Sequence, residues 1–366
     1  MGQDGEIPEG IVNPYLAVSA LVGVVGTMTL LPLIPALIEL RRKSDAAPLN
    51  VIQQHAGEIR YFAQSFRSYM QELEPVLRQC AASGTNASGV LPHGDEYVAL
   101  GRGDGELLQA LAERDATHPV VIVAGVDLLA PAATTFSREV FSSGRFLGGE
   151  KSNYRAILAE REVHLGASSC VMRWVHAVGP LTAERGCKLY GRASSDAAIR
   201  LHADCSFLRL NAPRIEIGEA ANPSVLPATS PADLSPQTTH RFFHDGDFEI
   251  QPDEVIRGNL VVRGRLRIGS GARVSGSVKS TKDMTLENGV AIAGSLISAQ
   301  GMRIGRDCAV HGPVIAEHAI FIAAETCCGN AQNPTTVSAP EIEIEEGAQV
   351  FGTLWARESG RVVLRT

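Results

Sequence analysis

The chain lacks most of the signals by which an enzyme announces itself. It contains no serine elbow, no H-E-x-x-H and no paired zinc motif. Its seven cysteines include no C-x-x-C pair, and the adjacent Cys327 and Cys328 are poorly spaced to chelate one tetrahedral metal together. Scattered free thiols suit a reducing compartment. No basic stripe is present and the net charge is −7, which argues against nucleic acid as a partner. Aromatic residues make up only 5% of the chain, whereas glycine is abundant at 36 residues. That balance suits turn-dense coils around a narrow core. Gly144–Ser152 resembles a phosphate loop only loosely, because Glu150 stands where phosphate oxygens would have to sit. His164, His176, His202, His311 and His318 are scattered and read as surface or turn residues. Neither a cofactor nor a metal is expected.

What the chain does have is a period. Ile250, Ile268, Leu286, Ile304 and Ile322 are spaced eighteen apart. Ile256, Val274, Ile292 and Val310 keep step with them, as do Leu260, Val278, Leu296 and Val314. Gly258, Gly276, Gly294 and Gly312 repeat at the same interval. A fixed period of this length means stacked coils, here one turn of a β-solenoid per repeat. The apolar-x-Gly-x-apolar unit, as in Val274–Val278, reads as a half-buried strand with the glycine in a tight interior. Weaker matches at Leu129, Leu147, Leu165, Ala183 and Leu201 carry the register back to about Val120. The expected β-helix therefore runs over 119–365 as one rod of about twelve coils, roughly 55 Å long. A Pro-rich stretch, 219–247, is expected to interrupt it as a surface loop whose removal costs little. Phe242 and Phe243 at its end are candidate partner contacts, or else a lid on the side of the rod.

Ahead of the rod, an acidic tail (1–10) precedes an uncharged apolar stretch. Residues 11–40 are long enough to be a transmembrane helix, and Arg41, Arg42 and Lys43 follow. The positive-inside rule then places a single-pass anchor in the membrane, with the C-terminal bulk in the cytoplasm. A short helical region is expected over 44–118. In it Ile52, His55, Ile59, Phe62, Phe66, Tyr69 and Leu73 form an a/d-like seam that ends at Pro75. That seam suits either a coiled coil or a helix packed on the rod's N-terminal end. Ala81–His93 reads as a flexible loop, and Glu106–Arg114 as a short helix.

The block Asp253–Gly264, with Val274–Val278 and Ile292–Leu296, resembles the bactofilins, bacterial polymer-forming cytoskeletal proteins. The resemblance is strongest over 248–364. It implies a mainly β fold, a three-sided right-handed parallel β-helix of about 18-residue coils that works without nucleotide as a membrane-associated scaffold. Its implied partners are the membrane, further copies of itself, and envelope or surface-polysaccharide-synthesis proteins of the inner (cytoplasmic) membrane. The uncapped last rung, Val362, Val363 and Leu364, is the expected self-association face, most simply tail to tail. The alternative is a hexapeptide-repeat acyltransferase, a left-handed solenoid, which Ile268-Gly269 or Ile304-Gly305 would serve.

Overall fold

A computed structural model describes residues 14–34, 55–103, 108–109, 116–218 and 240–365. The chain divides into two units, Met1–Gln54 and His55–Thr366. In the first, helix α1 spans Pro14–Leu30, 17 residues with no acidic or basic side chain in its end turns. The hydroxyls of Ser19, Thr27 and Thr29 donate to the carbonyls of Tyr15, Gly23 and Val25, one turn back. Seventeen residues rise about 26 Å, less than the ~30 Å of a hydrocarbon core. No helix among the described residues is long and apolar enough to cross a membrane. The stretch expected to span, 11–40, extends beyond the described residues at both ends. Arg41, Arg42 and Lys43 lie outside them.

The second unit is mainly a β-solenoid of about 13 turns. Strands stack in parallel, and the apolar rulers become ladders: Ile250 pairs with Ile268, Ile268 with Leu286, Leu286 with Ile304 and Ile304 with Ile322. All five are buried, as are Val274, Ile292 and Val310 in the second ladder and Leu260, Val278, Leu296 and Val314 in the third. Burying each such side chain contributes about 1.5–3 kcal/mol relative to leaving it in water. The glycine ladder has a different cause from the one its pattern suggests. Gly276 does not sit inside a strand. It lies in the bend between Arg273–Val274 and Val278–Ser280, where a Cβ would come within 2.4 Å of the Gly258 carbonyl oxygen. Gly294 and Gly312 meet the backbone of the coil before them in the same way. Close approach of successive corners along the axis requires glycine there, not the width of the lumen.

The coils form two stacks, not one interrupted rod. The first rises through strands β3 (Val121–Ala124), β4 (Thr135–Ser142), β5 (Asn153–Ala159), β6 (Cys170–Ala177), β7 (Lys188–Ser195) and β8 (Ser206–Ile217). The second begins at β9 (Arg241–Asp245), β10 (Phe248–Ile250) and β11 (Val255–Ile256) and ends at β14 (Gln349–Val363). Between them in the second stack come β12 (Asn259–Arg263) and, last but one, β13 (Thr335–Glu345). The final coils of the two stacks meet antiparallel, with Leu210 opposite Leu354, Asn211 opposite Thr353 and Ile215 opposite Val350. The Val362 amide donates to the Cys205 carbonyl at 2.8 Å, and the Ile217 amide to Ala348 at 3.1 Å. Asn211 Nδ2 donates to Thr353 Oγ1 at 3.0 Å, and the Arg209 guanidinium lies 4.8 Å from the Trp355 ring centre. Gly218 lies at this junction and His240 at the other end of the second stack; within the expected loop 219–247, residues 219–239 lie outside those described and 241–245 are strand β9.

Helix α2, His55–Ser83, belongs to the second unit. Its buried seam is Ile59, Ala63, Phe66, Met70, Leu73, Leu77 and Cys80, alternating steps of four and three. Phe62 is 47% exposed and Tyr69 only partly buried, so both stand beside the seam rather than in it. Ile52 lies outside the described residues. Pro75 does not end the helix. It is exposed, and the helix runs on past it to Ser83 although its missing N–H leaves one turn without a bond to the Gln71 carbonyl. The helix lies along the side of the first stack, packed on Val121, Val123, Phe141, Ala156, Leu158 and Trp174, and not on its end. That is why β3 is buried on both faces, a continuous apolar run instead of an alternation. The end of the stack is closed instead by a hairpin of β1 (Ala87–Val90), inside the expected loop Ala81–His93, and β2 (Glu96–Leu100), just beyond it, and β2 pairs with β3. Leu100 and Leu108 complete the seal, both fully buried. Of the expected helix Glu106–Arg114 only residues 108–109 are described.

Candidate functional site

The coils dictate which residues converge. Charged side chains on the outer faces pair from one coil to the next: Arg145 with Asp127, Arg185 with Asp204, Arg200 with Glu216 and Arg267 with Glu287. Arg145 also donates through its amide to Asp127, and these hydrogen bonds hold that carboxyl below its usual range. Such groups are stacking elements. A shallow outer groove of about 390 Å³ is lined by Thr285, Arg303, Phe321 and Glu343, with Arg303 lying 4.2 Å from the Phe321 ring centre. Among the described residues no three His, Cys, Asp or Glu side chains are placed to hold a metal. Cys328 points into the core and Cys327 is partly buried. Burial pushes both thiols up, that of Cys327 to about 11.

One cluster has the composition of a hydrolytic triad. His176 Nδ1 lies 2.9 Å from Ser194 Oγ, and its Nε2 lies 3.8 Å from Asp196. His176 and Ser194 are both buried under α2, next to Trp174 and Phe66, which stack edge to face at 5.8 Å. Arg60 and Arg67 of the helix reach over them to Asp196 (2.6 Å) and Glu160 (2.7 Å). With its serine sealed beneath a helix, this arrangement clamps α2 to the sheet. Burial pulls His176 down to about 4; Asp196 opposes the shift and Arg67 and Arg60 add to it. Well above pH 6.5 the ring is neutral in both folded and unfolded chains and stability does not vary with it. As pH falls from 6.5 to 4 the unfolded chain takes up a proton that the folded one refuses, so stability is lost, by about 3 kcal/mol in all. Urea unfolding at pH 7 and pH 4.5 should show this loss in the parent and a clearly smaller one in His176→Asn. Equal losses in both would remove His176 from the clamp.

The stack ends are the places where the repeat stops being satisfied by itself. Three of the four are occupied. The hairpin closes one, and the two final coils close each other. Val362, expected at a free face, is 1% exposed; Val363 is partly buried, and only Leu364 reaches solvent. Of the self-association face expected at Val362, Val363 and Leu364, Val362 thus bonds within the chain and Leu364 stays exposed. The fourth end is open among the described residues. β9 pairs with β12 and with no other described strand, and β10 and β11 likewise have one neighbouring coil each. Phe242 and His244 occupy inward positions, in register with Leu260 and Val262, yet Phe242 remains 48% exposed, with no described coil beyond it. Phe243 points outward and is 67% exposed, and Val255 is 54% exposed. The two phenylalanines singled out in the sequence therefore sit at the open end of a stack and do not lid its side. The open coil as a whole was not legible, since its repeat is as regular as its neighbours'.

Comparison with known proteins returns no match: no family model, no curated protein and no solved structure.

Proposed function

We propose that this chain is a membrane-anchored, bactofilin-like scaffold that self-associates and organises cell-envelope or surface-polysaccharide machinery. The observation that carries the reading is the pairing of outer charged groups from coil to coil along a solenoid that, among the described residues, has one open end. A body of this kind offers a long rigid ruler of repeated surface, with a strand edge for growth or docking. In this reading the coils are those of a three-sided right-handed β-helix of about 18 residues. Apolar α1, with its hydroxyls bonded back to its own carbonyls, is the core of a single-pass anchor within 11–40. Arg41, Arg42 and Lys43 then keep the solenoid on the cytoplasmic side of the inner membrane.

Fractionation and protease protection test this reading together. The full chain with a reporter after Thr366 should sediment with membranes, resist extraction by high salt, and keep its reporter intact when protease is added outside. Changing Arg41, Arg42 and Lys43 to Glu should weaken or invert the orientation. A chain found wholly in the soluble fraction, or a reporter digested from outside, would refute the tether.

A further inference from the structure

The open coil carries a strand that complements itself. β9 reads Arg241-Phe242-Phe243-His244-Asp245. Laid antiparallel on the same strand of a second copy and centred on Phe243, it places Arg241 opposite the second copy's Asp245, and Asp245 opposite the second copy's Arg241. Phe243 faces its own equivalent, and Phe242 faces His244. Centring on a residue preserves the alternation, so the inward positions 242 and 244 meet inward positions and the two lumens become continuous. A slip of one residue would turn every side chain to the wrong face, and a slip of two would break both charge pairs.

We infer that this coil is an isologous pairing edge: two copies of the chain join β9 to β9, antiparallel and centred on Phe243, as a closed two-fold dimer. The inference deepens the scaffold reading by naming the partner of its open end, and it rests on that reading. Three observations support a second copy as the occupant. The self-pairing brings Arg241 and Asp245, opposite in charge, face to face twice, and Asp245 and Arg263, its neighbour at 3.5 Å within the chain, are both highly exposed. The chain already makes one antiparallel coil-to-coil joint of this kind, between β8 and β14, where inward Leu210 meets inward Leu354. The rival occupant, the chain's own 219–239, has prolines at 223, 227, 231 and 236, each without the N–H that a ladder requires. The association stops at two copies because the hairpin and the internal junction occupy the other ends, and a two-fold joint consumes the edge on both partners.

The test uses the full chain in detergent and in membranes. Opposed residues in an antiparallel pair have Cα atoms about 4.5–5.5 Å apart, within disulfide reach. Phe243→Cys should therefore give a chain-to-chain disulfide on mild oxidation, while Tyr190→Cys, an exposed position on the first stack, should not. Arg241→Asp and Asp245→Arg should each weaken the dimer at least tenfold, and the double change R241D/D245R should restore it. Recovery in the double variant separates lost pairing from lost folding. A parent that is monomeric at micromolar concentration, equal crosslinking at positions 190 and 243, a double variant without recovery, or open-ended polymers would each overturn the inference. A chain that fails here yet passes the fractionation test leaves the tethered scaffold standing. One that pairs but does not sediment with membranes refutes the tether alone.

Discussion

Shortening 219–239 to five residues is expected at least to double the mass of the particle, although no residue of either stack is touched. The reason is distance. From β8 the sheet passes through β14, β13 and the strands at 314–316, 296–298 and 278–280 to β12 and β9, seven strand spacings in all. At about 4.8 Å each this is roughly 34 Å. A residue spans at most ~3.6 Å, so about ten are needed to return from Gly218 to His240. The native twenty-one suffice with slack. Five do not. The final coils would then find their partners on another copy, giving an exchanged dimer with every native contact retained. Cutting to fourteen residues should leave mass and stability near the parent, since loop closure then changes by only about 0.4 kcal/mol. Protein mass of the full chain in detergent decides between these outcomes. A five-residue variant of parental mass and stability would mean that the two stacks are not joined as described.

That expectation reverses what the sequence suggests for the same segment, and the reversal shows where the sequence is silent. The period of Ile250, Ile268, Leu286, Ile304 and Ile322 reveals the coil, its inward face and its parallel stacking, because each follows from local alternation and a repeat length. The order of coils along the axis does not follow. Whether Ile217 continues toward Arg241 or toward Gln349 depends on which final coil offers the better cover, and the apolar ladder reads alike in both arrangements. The marks of the junction are single residues: Gly360, where a Cβ would strike the Phe207 ring at 2.3 Å, and Asn211, which bonds across to Thr353. Neither stands out from one chain. The seam of α2 was legible as a three-four alternation but was shifted by a residue in places. Phe62 and Tyr69 are larger than Ala63 and Met70, and by size alone they are the stronger seam candidates. Yet at a flat sheet face Ala63 admits close approach, while Phe62 turns to the Arg192 guanidinium, 4.9 Å from its ring centre. Of the candidate site, the phenylalanine pair was visible as an oddity. Its standing at an open end depends on the stacking order and was not.

The second large effect is expected from Leu354→Asp. Leu354 is fully buried and faces Leu210, also fully buried, across the joint between the two final strands, where Ile215 likewise faces Val350. A carboxylate there has no cation on the inward side and must either remain charged in an apolar lumen or take up a proton, at a cost of several kcal/mol. In a solenoid that cost is borne by one nearest-neighbour joint, so the stacks should uncouple instead of failing together. The chain's two tryptophans report them separately: Trp174 lies beneath α2 on the first stack, and Trp355 lies in β14 beneath Arg209. Trp174→Phe and Trp355→Phe versions of the parent should unfold in urea with one common midpoint. In the Leu354→Asp background the two reporters should separate, each at a lower midpoint than before. Val362→Asp belongs to the same joint. If its side chain stood on a free face, that change would leave a sound protomer and reduce only assembly; at 1% exposure it should weaken the chain itself. Tyr190→Asp is the control, because its ring is already half in water on the outer face of the first stack, and it should shift neither midpoint appreciably. Coincident and unshifted midpoints in Leu354→Asp would mean that the junction contributes nothing to holding the two stacks as one body.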